Sequence, residues 1–258
     1  MRPLRIVGAP TEESESADTD LPPVPAEPRA APSARGAKGL PQTAAIEEVF
    51  RFAGTGQGYR ITVIGGTGSG KTWWQRKLVI ASAERDDLVL VHDGKDRTPQ
   101  YRGAIRDSAF ALARNPTQEN TIVFRHENPE RVAEMAWQAS AKGVTSLVLI
   151  DEIYDAIGGD RHWKALKTSR IDEIYRKGRS RGVSIAGSTQ IPQSLPTVAI
   201  DLADFKVIFK LDSRSLNYVA KSFKLTPDLV GTIRRLTVGQ FVLVQQGVDW
   251  NGVIYGPN

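Results

Sequence analysis

Residues 59–72 read YRITVIGGTGSGKT, and their last eight, Gly65-Gly66-Thr67-Gly68-Ser69-Gly70-Lys71-Thr72, decide the architecture. The apolar run Arg60 to Ile64 predicts a strand, and helix-forming residues from Trp73 to Arg85 follow the loop. A glycine-rich turn between strand and helix directs backbone N–H groups inward, and the next helix adds its positive end. Gly66, Thr67, Gly68, Ser69 and Gly70 then form a cradle for phosphate oxygens. Lys71 reaches the terminal phosphates, and Thr72, at the helix start, offers its hydroxyl to the Mg2+ that a nucleotide carries. ATP and Mg2+ are the cofactors this spacing predicts.

A second apolar strand, Ser146 to Ile150, ends in Asp151-Glu152. Strand ends of a parallel sheet face the ligand crevice, so Asp151 is placed to hold the Mg2+ shell and Glu152 to orient and deprotonate an attacking water. By itself an acidic pair after a strand also reads as a solvated loop start; joined to the glycine loop, it reads as a hydrolytic centre. A third strand, Val183 to Ser188, runs into Thr189-Gln190. Gln190 is positioned to bond the terminal phosphate and pass its loss to Ile191-Pro192-Gln193-Ser194-Leu195-Pro196, although a Thr-Gln at a strand end is also an ordinary turn.

Upstream lies Arg176-Lys177-Gly178-Arg179-Ser180-Arg181-Gly182, after a helix marked by Ile171, Ile174 and Tyr175. These cations complement the negative end of a helix dipole. They also suit an arginine finger that enters a neighbouring subunit's site and offsets transition-state charge. Chemistry alone leaves both readings open.

The chain has 258 residues, 40% hydrophobic, with net charge +5, no cysteine and three histidines, His92, His126 and His162. That length accommodates one α/β domain and a tail. Disulfides and cysteine-ligated zinc are excluded, and the histidines lack metal-ligand spacing and read as surface or loop residues. No apolar run approaches the roughly 20 residues a membrane span needs, which points to a soluble protein inside the cell. Residues 1–43 hold eight of the 15 prolines with five basic and six acidic side chains, and read as a disordered arm. Residues 44–258 then form the folded domain and carry the basic excess.

Strand-like and helix-like segments alternate after the arm, which predicts a mainly parallel sheet flanked by helices. Further strands are expected at Leu88 to His92, Thr121 to Arg125 and Lys206 to Leu211, with a closing hairpin built from Phe241 to Val244 and Val253 to Tyr255. Asn128-Pro129-Glu130 opens a helix that Gly143 ends, and Asp212 or Ser213 caps another. Trp73 and Trp74 are read as helix packing, with nucleotide stacking as the alternative.

Four pieces in order, GGTGSGKT, VLVHDGKD, SLVLIDE and GRSRGVSIAGSTQIPQSLP, resemble the HerA/FtsK superfamily of P-loop ATPases over roughly residues 58–255. Asp93-Gly94-Lys95 looks like that family's Asp-x-Lys strand end, and Asp151-Glu152 like its Walker B pair. Arg179 stands eleven residues before Gln190, the family's distance from arginine finger to Thr-Gln, which favours Arg179 as the finger, with Arg181 and Arg176 in reserve. The fold this implies is an α/β, RecA-like (ASCE) P-loop NTPase with a C-terminal hairpin. No membrane helix and no N-terminal barrel are expected here, so the chain resembles the small DNA-packaging ATPases of membrane-containing icosahedral viruses such as tectiviruses. The resemblance implies an ATP-hydrolysing translocase of double-stranded DNA that packages a viral genome into a preformed capsid. It also implies a homo-oligomeric, hexamer-like ring, capsid-vertex or portal partners, and a place in the host cytoplasm or on the virion.

Residues 161–181 carry Arg161, Lys164, Lys167, Arg170, Arg176, Lys177, Arg179 and Arg181 around Trp163, after Gly158-Gly159. The early part of this run reads equally as a pore surface for DNA phosphates or as a solvated charged face. Two other functions stay open: an ATPase for phage morphogenesis or conjugation-type DNA transfer, and a monomeric nucleotide-binding switch.

Overall fold

The computed structural model describes residues 39–85, 87–93, 104–106, 121–124, 128–153 and 169–257, the backbone alone for 104–106. Ten strands form one sheet: β1 (Leu40–Pro41), β2 (Arg60–Ile64), β3 (Leu88–Asp93), β4 (Ala104–Arg106), β5 (Thr121–Phe124), β6 (Ser146–Asp151), β7 (Val183–Thr189), β8 (Phe205–Phe209), β9 (Phe241–Gln245) and β10 (Tyr255–Gly256). Their order is β1-β10-β9-β8-β2-β7-β6-β3-β5-β4. From β8 to β4 every pairing is parallel, whereas β9 runs antiparallel to both β8 and β10. The mainly parallel α/β sheet is therefore the expected one. The closing hairpin pairs at Tyr255 and Phe241, but the longer ladder of β9 is with β8.

Buried strands alternate their side chains between two layers. Leu147 and Leu149 of β6 join Ile61, Val63, Trp74 and Leu78 beneath α1 (Gln42–Ala53) and α2 (Lys71–Ala83). Val148 and Ile150 join Val132, Ile174, Leu216 and Ile233 on the opposite face. That second face is covered by α3 (Pro129–Ser140), α4 (Arg170–Lys177), α5 (Thr197–Asp201), α6 (Ser213–Ser222) and α7 (Pro227–Arg235). Four of these helices open on side-chain or proline signals. The side chains of Asn128, Ser169, Asp212 and Thr226 accept from backbone N–H groups of the first turn, and proline opens α3 and α7.

Elements that sequence reading missed depend on distant partners. Leu40 and Pro41, placed in the arm by their proline-rich setting, pair with Tyr255 and Gly256, and α1 begins at Gln42. The folded unit therefore starts at or before Gly39, and the rest of the proposed arm lies outside the described residues. His92, read as a surface or loop residue, is buried in β3, because that strand lies between β5 and β6. His126 and His162 lie outside the described residues. Among the described residues no helix is long and apolar enough to cross a membrane.

Candidate functional site

The loop after β2 supplies the first wall of the site. Gly68 and Gly70 have φ of 71° and 106°, conformations that L side chains rarely adopt. A Cβ on Gly70 would also sit 2.9 Å from the Cα of Gly239. Both observations require glycine there. The loop is braced from three sides: Gly65 N–H donates to the Thr189 carbonyl at 3.3 Å, Gly66 N–H to that of Lys210 at 3.1 Å, and Gly239 N–H to that of Ser69 at 2.9 Å. Lys71 is 7% exposed, and its ammonium donates to the carbonyls of Gly65 and Gly66 at 2.6 and 3.0 Å. A buried cation thus lies across the loop at the N-terminus of α2, where helix N–H groups lack intrahelical partners.

The second wall is built by strand order. β7 lies between β2 and β6, so the ends of all three meet at one edge. Asp151, buried at the end of β6, accepts from Ser188 Oγ at 3.0 Å and is in register with Asp93 of β3. Glu152 follows with φ of 69°, strained by about 1–2 kcal/mol for a non-glycine residue. Its Oε1 accepts from Thr189 Oγ1 at 2.9 Å and from Gln190 N–H at 3.3 Å, and its own N–H donates to Ser188 Oγ at 3.4 Å. Gln190 Oε1 in turn accepts from Thr67 Oγ1 at 2.6 Å. One hydrogen-bonded chain therefore runs from the glycine loop through Gln190 to Glu152.

Thr72 and Asp151 offer a hydroxyl and a carboxylate, hard oxygen donors of the kind Mg2+ takes while keeping most of its waters. Among the described residues there is no group of three or more His, Asp or Glu able to hold a metal. A two-ligand site completed by phosphate oxygens fits this donor set.

Arg179 lies elsewhere. It opens a short 3-10 turn, Arg179–Arg181, ahead of β7, at the amino edge of the sheet. β7 separates it from Gln190, and the rise from Val183 to Thr189 alone is about 20 Å at roughly 3.3 Å per step. Its guanidinium stacks 4.7 Å from the Phe52 ring centroid and makes a long 3.9 Å contact with Asp204, with the side chain 40% exposed. The primary partner of Asp204 is Arg60, through Nε at 3.0 Å, Nη2 at 2.6 Å and the backbone N–H at 2.9 Å. The reserve arginines also have partners within the chain. Arg176 is bidentate with Asp172 at 2.7 and 3.3 Å, which raises its pKa further, and Arg181 stacks 4.2 Å from the Trp137 ring.

The remaining basic run is similarly committed where it is described. Arg170 binds Glu134 and Glu173 and stacks on Trp137, and Lys177 pairs with Glu173 at 3.5 Å. Gly94, Lys95, Gly158, Gly159, Arg161, Trp163, Lys164 and Lys167 lie outside the described residues. Of the tryptophan pair, Trp74 is packed edge-on against Phe241, whereas Trp73 is 55% exposed with the Lys77 ammonium 5.9 Å from its ring. Neighbours on a helix point about 100° apart, so only one of them faces the sheet. Sequence reading assigned no role to Ser188 or Thr189, which hold the two acids, or to Gly239, which braces the loop. Two adjacent polar residues closing the mostly apolar β7 were the available signal for the first two; for Gly239, about 170 residues from the loop, there was none.

This strand order, with a polar-ended strand between the glycine loop and the acidic pair, defines a P-loop NTPase. No family profile matches the chain. Protein P9 of Pseudoalteromonas phage PM2 is 30% identical over a 164-residue alignment that covers 59% of this chain and 69% of that protein. Among solved structures, the genome packaging NTPase B204 from Sulfolobus turreted icosahedral virus 2, in complex with AMPPCP, matches with TM-score 0.63 and 17% identity over 78% of this chain and 98% of B204. VirB4 of Thermoanaerobacter pseudethanolicus matches with TM-score 0.58 and 11% identity over 73% of this chain and 87% of that one. The chain belongs to the family of Protein P9 of phage PM2, and its fold is shared with B204 and VirB4.

Proposed function

We propose that this protein is an ATP-hydrolysing motor that moves double-stranded DNA, packaging a viral genome into a preformed capsid as a homo-oligomeric ring. The observation that carries the hydrolytic part is the hydrogen-bonded chain from Thr67 through Gln190 to Glu152. It joins the loop that would hold the triphosphate to the carboxylate that would take a proton from water. The transport part is supported by the likeness in fold to a genome packaging NTPase, and the viral setting by the phage origin of Protein P9.

In this reading the N–H groups of residues 66–72 and the Lys71 ammonium bind the β- and γ-phosphates, Lys71 exchanging its loop carbonyls for phosphate oxygens. Thr72 and Asp151 would hold Mg2+, which would neutralise charge on the phosphate oxygens. Glu152 accepts a proton from water as the water oxygen bonds to the γ-phosphorus and the bond to the β–γ bridging oxygen breaks, leaving ADP and phosphate. Gln190 releases Thr67 and donates its Nε2 amide to the terminal phosphate, so the loss of that phosphate is felt at Ile191 and the turn that follows. Arg179, too far from its own loop, acts in the site of a neighbouring copy. The test is the hydrolysis rate of the full chain with and without double-stranded DNA. Stimulation that declines steeply with salt is expected, because DNA binding through phosphates releases counterions. A rate indifferent to duplex at all salt concentrations refutes the transport reading and leaves hydrolysis standing.

A further inference from the structure

β8 links the nucleotide loop to a second cleft. Just past its carboxyl end Lys210 accepts from Gly66 N–H, whereas Lys206 near its start lines a cavity of 620 Å³ between the α6–α7 junction and the turn after β9. That volume lies within the range of small-ligand sites, about 300–1,000 Å³. Leu229 and Phe223 provide apolar surface, and Trp250 lines the side.

Lys206 is 8% exposed. The one hydrogen bond of its ammonium among the described residues is a 3.5 Å contact to the Ala203 carbonyl, and the ammonium lies 5.4 Å from the Phe223 ring centroid. An ammonium has three donors, and buried donors left without acceptors are costly. Burial lowers the Lys206 pKa from the ordinary lysine value, with Asp201 and Asp204 pulling it the other way. Exposed Asp201, Asp249 and Lys224 stand at the rim. Two carboxylates at the mouth oppose entry of a polyanion such as nucleic acid or a second nucleotide. A single negative charge on an apolar body satisfies both the buried cation and the walls.

We propose that this cleft binds a monoanionic organic carboxylate, its oxygens on Lys206 and its apolar body against Phe223, Leu229 and Trp250. That chemistry is offered by a free aryl-alkanoate and by an acidic side chain beside an aromatic one in a partner peptide. Calorimetric titration of the full chain with 3-phenylpropionate and with the blocked tripeptide acetyl-Phe-Glu-Phe-amide separates these sources, the tighter binder identifying the source. Saturable binding of at least one is expected, at least tenfold weaker for 3-phenylpropionamide in place of the acid, and at least tenfold weaker in Lys206→Met. Excess inorganic phosphate, which would occupy the loop at Lys71, should leave the affinity unchanged. The proposal is overturned if neither probe saturates, if acid and amide bind alike, or if phosphate displaces the probe. The acid–amide comparison uses the unaltered protein, so it decides the matter even if Lys206→Met fails to fold.

Discussion

The two edges of the sheet treat their charged groups differently. At the carboxyl edge Lys71, Asp151, Glu152 and Gln190 are braced by short hydrogen bonds from three adjacent strands and a glycine loop. At the amino edge Asp204 is held firmly by Arg60, and Arg179 adds only a 3.9 Å contact and an aromatic stack. One edge is a preorganised candidate site; the other presents a half-exposed guanidinium whose intramolecular partner is already satisfied. A side chain so loosely held, and about 20 Å from the site of its own chain, suits insertion into another copy at little internal cost.

The largest test of this contrast is Lys71→Ala, which should abolish nucleotide binding in a fluorescent-nucleotide titration. Retained affinity would mean that the loop grips phosphate without its cation. Next, Glu152→Gln should keep ATP affinity and lower turnover by about 10²–10⁴-fold, the usual contribution of a general base. Hydrolysis at the parent rate removes it from that role. Arg179→Ala should cost about 10³-fold or more, as finger arginines do. An equimolar mixture of this variant with Glu152→Gln should regain part of the activity, since some seams then pair an intact base with an intact arginine; a flat mixing curve assigns Arg179 to the helix dipole instead.

Smaller effects sharpen the structural half of the contrast. Asp204→Ala should destabilise the fold by about 3–5 kcal/mol in a denaturant titration, because it leaves the largely buried Arg60 cation without its carboxylate, holding only the Tyr175 carbonyl. A loss below about 1 kcal/mol would show that this edge is as loosely held at Arg60 as at Arg179. Asp212→Ala should cost about 1 kcal/mol as a lost cap of α6. Hydrogen bonds from the backbone and side chain of Ser215 hold the Asp212 carboxyl below its ordinary pKa. Its contribution is therefore present above the unfolded-state value near 4 and lost as pH falls through the lower folded-state value. An unchanged acid-unfolding midpoint in the alanine variant would remove that link.

Most of the parallel sheet was legible in the sequence, for a definite reason. Strands β2, β3, β5, β6, β7 and β8 are short apolar runs bounded by loops, and each was read to within two residues. Asn128, Pro129 and Asp212 announced their helices because capping is a local interaction. By contrast β1, α1, α7 and the bracing Gly239 went unread. β1 exists only by pairing with β10, and Gly239 matters only because it touches Ser69.

The sequence by itself determined the glycine loop, the acidic pair and the alternation of strands and helices, since loop conformation, strand burial and capping depend on neighbours a few residues apart. Only the tertiary structure decided that Thr189 and Gln190 clasp Glu152, that Arg179 faces away from its own loop, and that Lys206 lies buried beside a cavity. Those facts follow from which strands lie side by side, and strand order is set by long-range packing that no local pattern encodes.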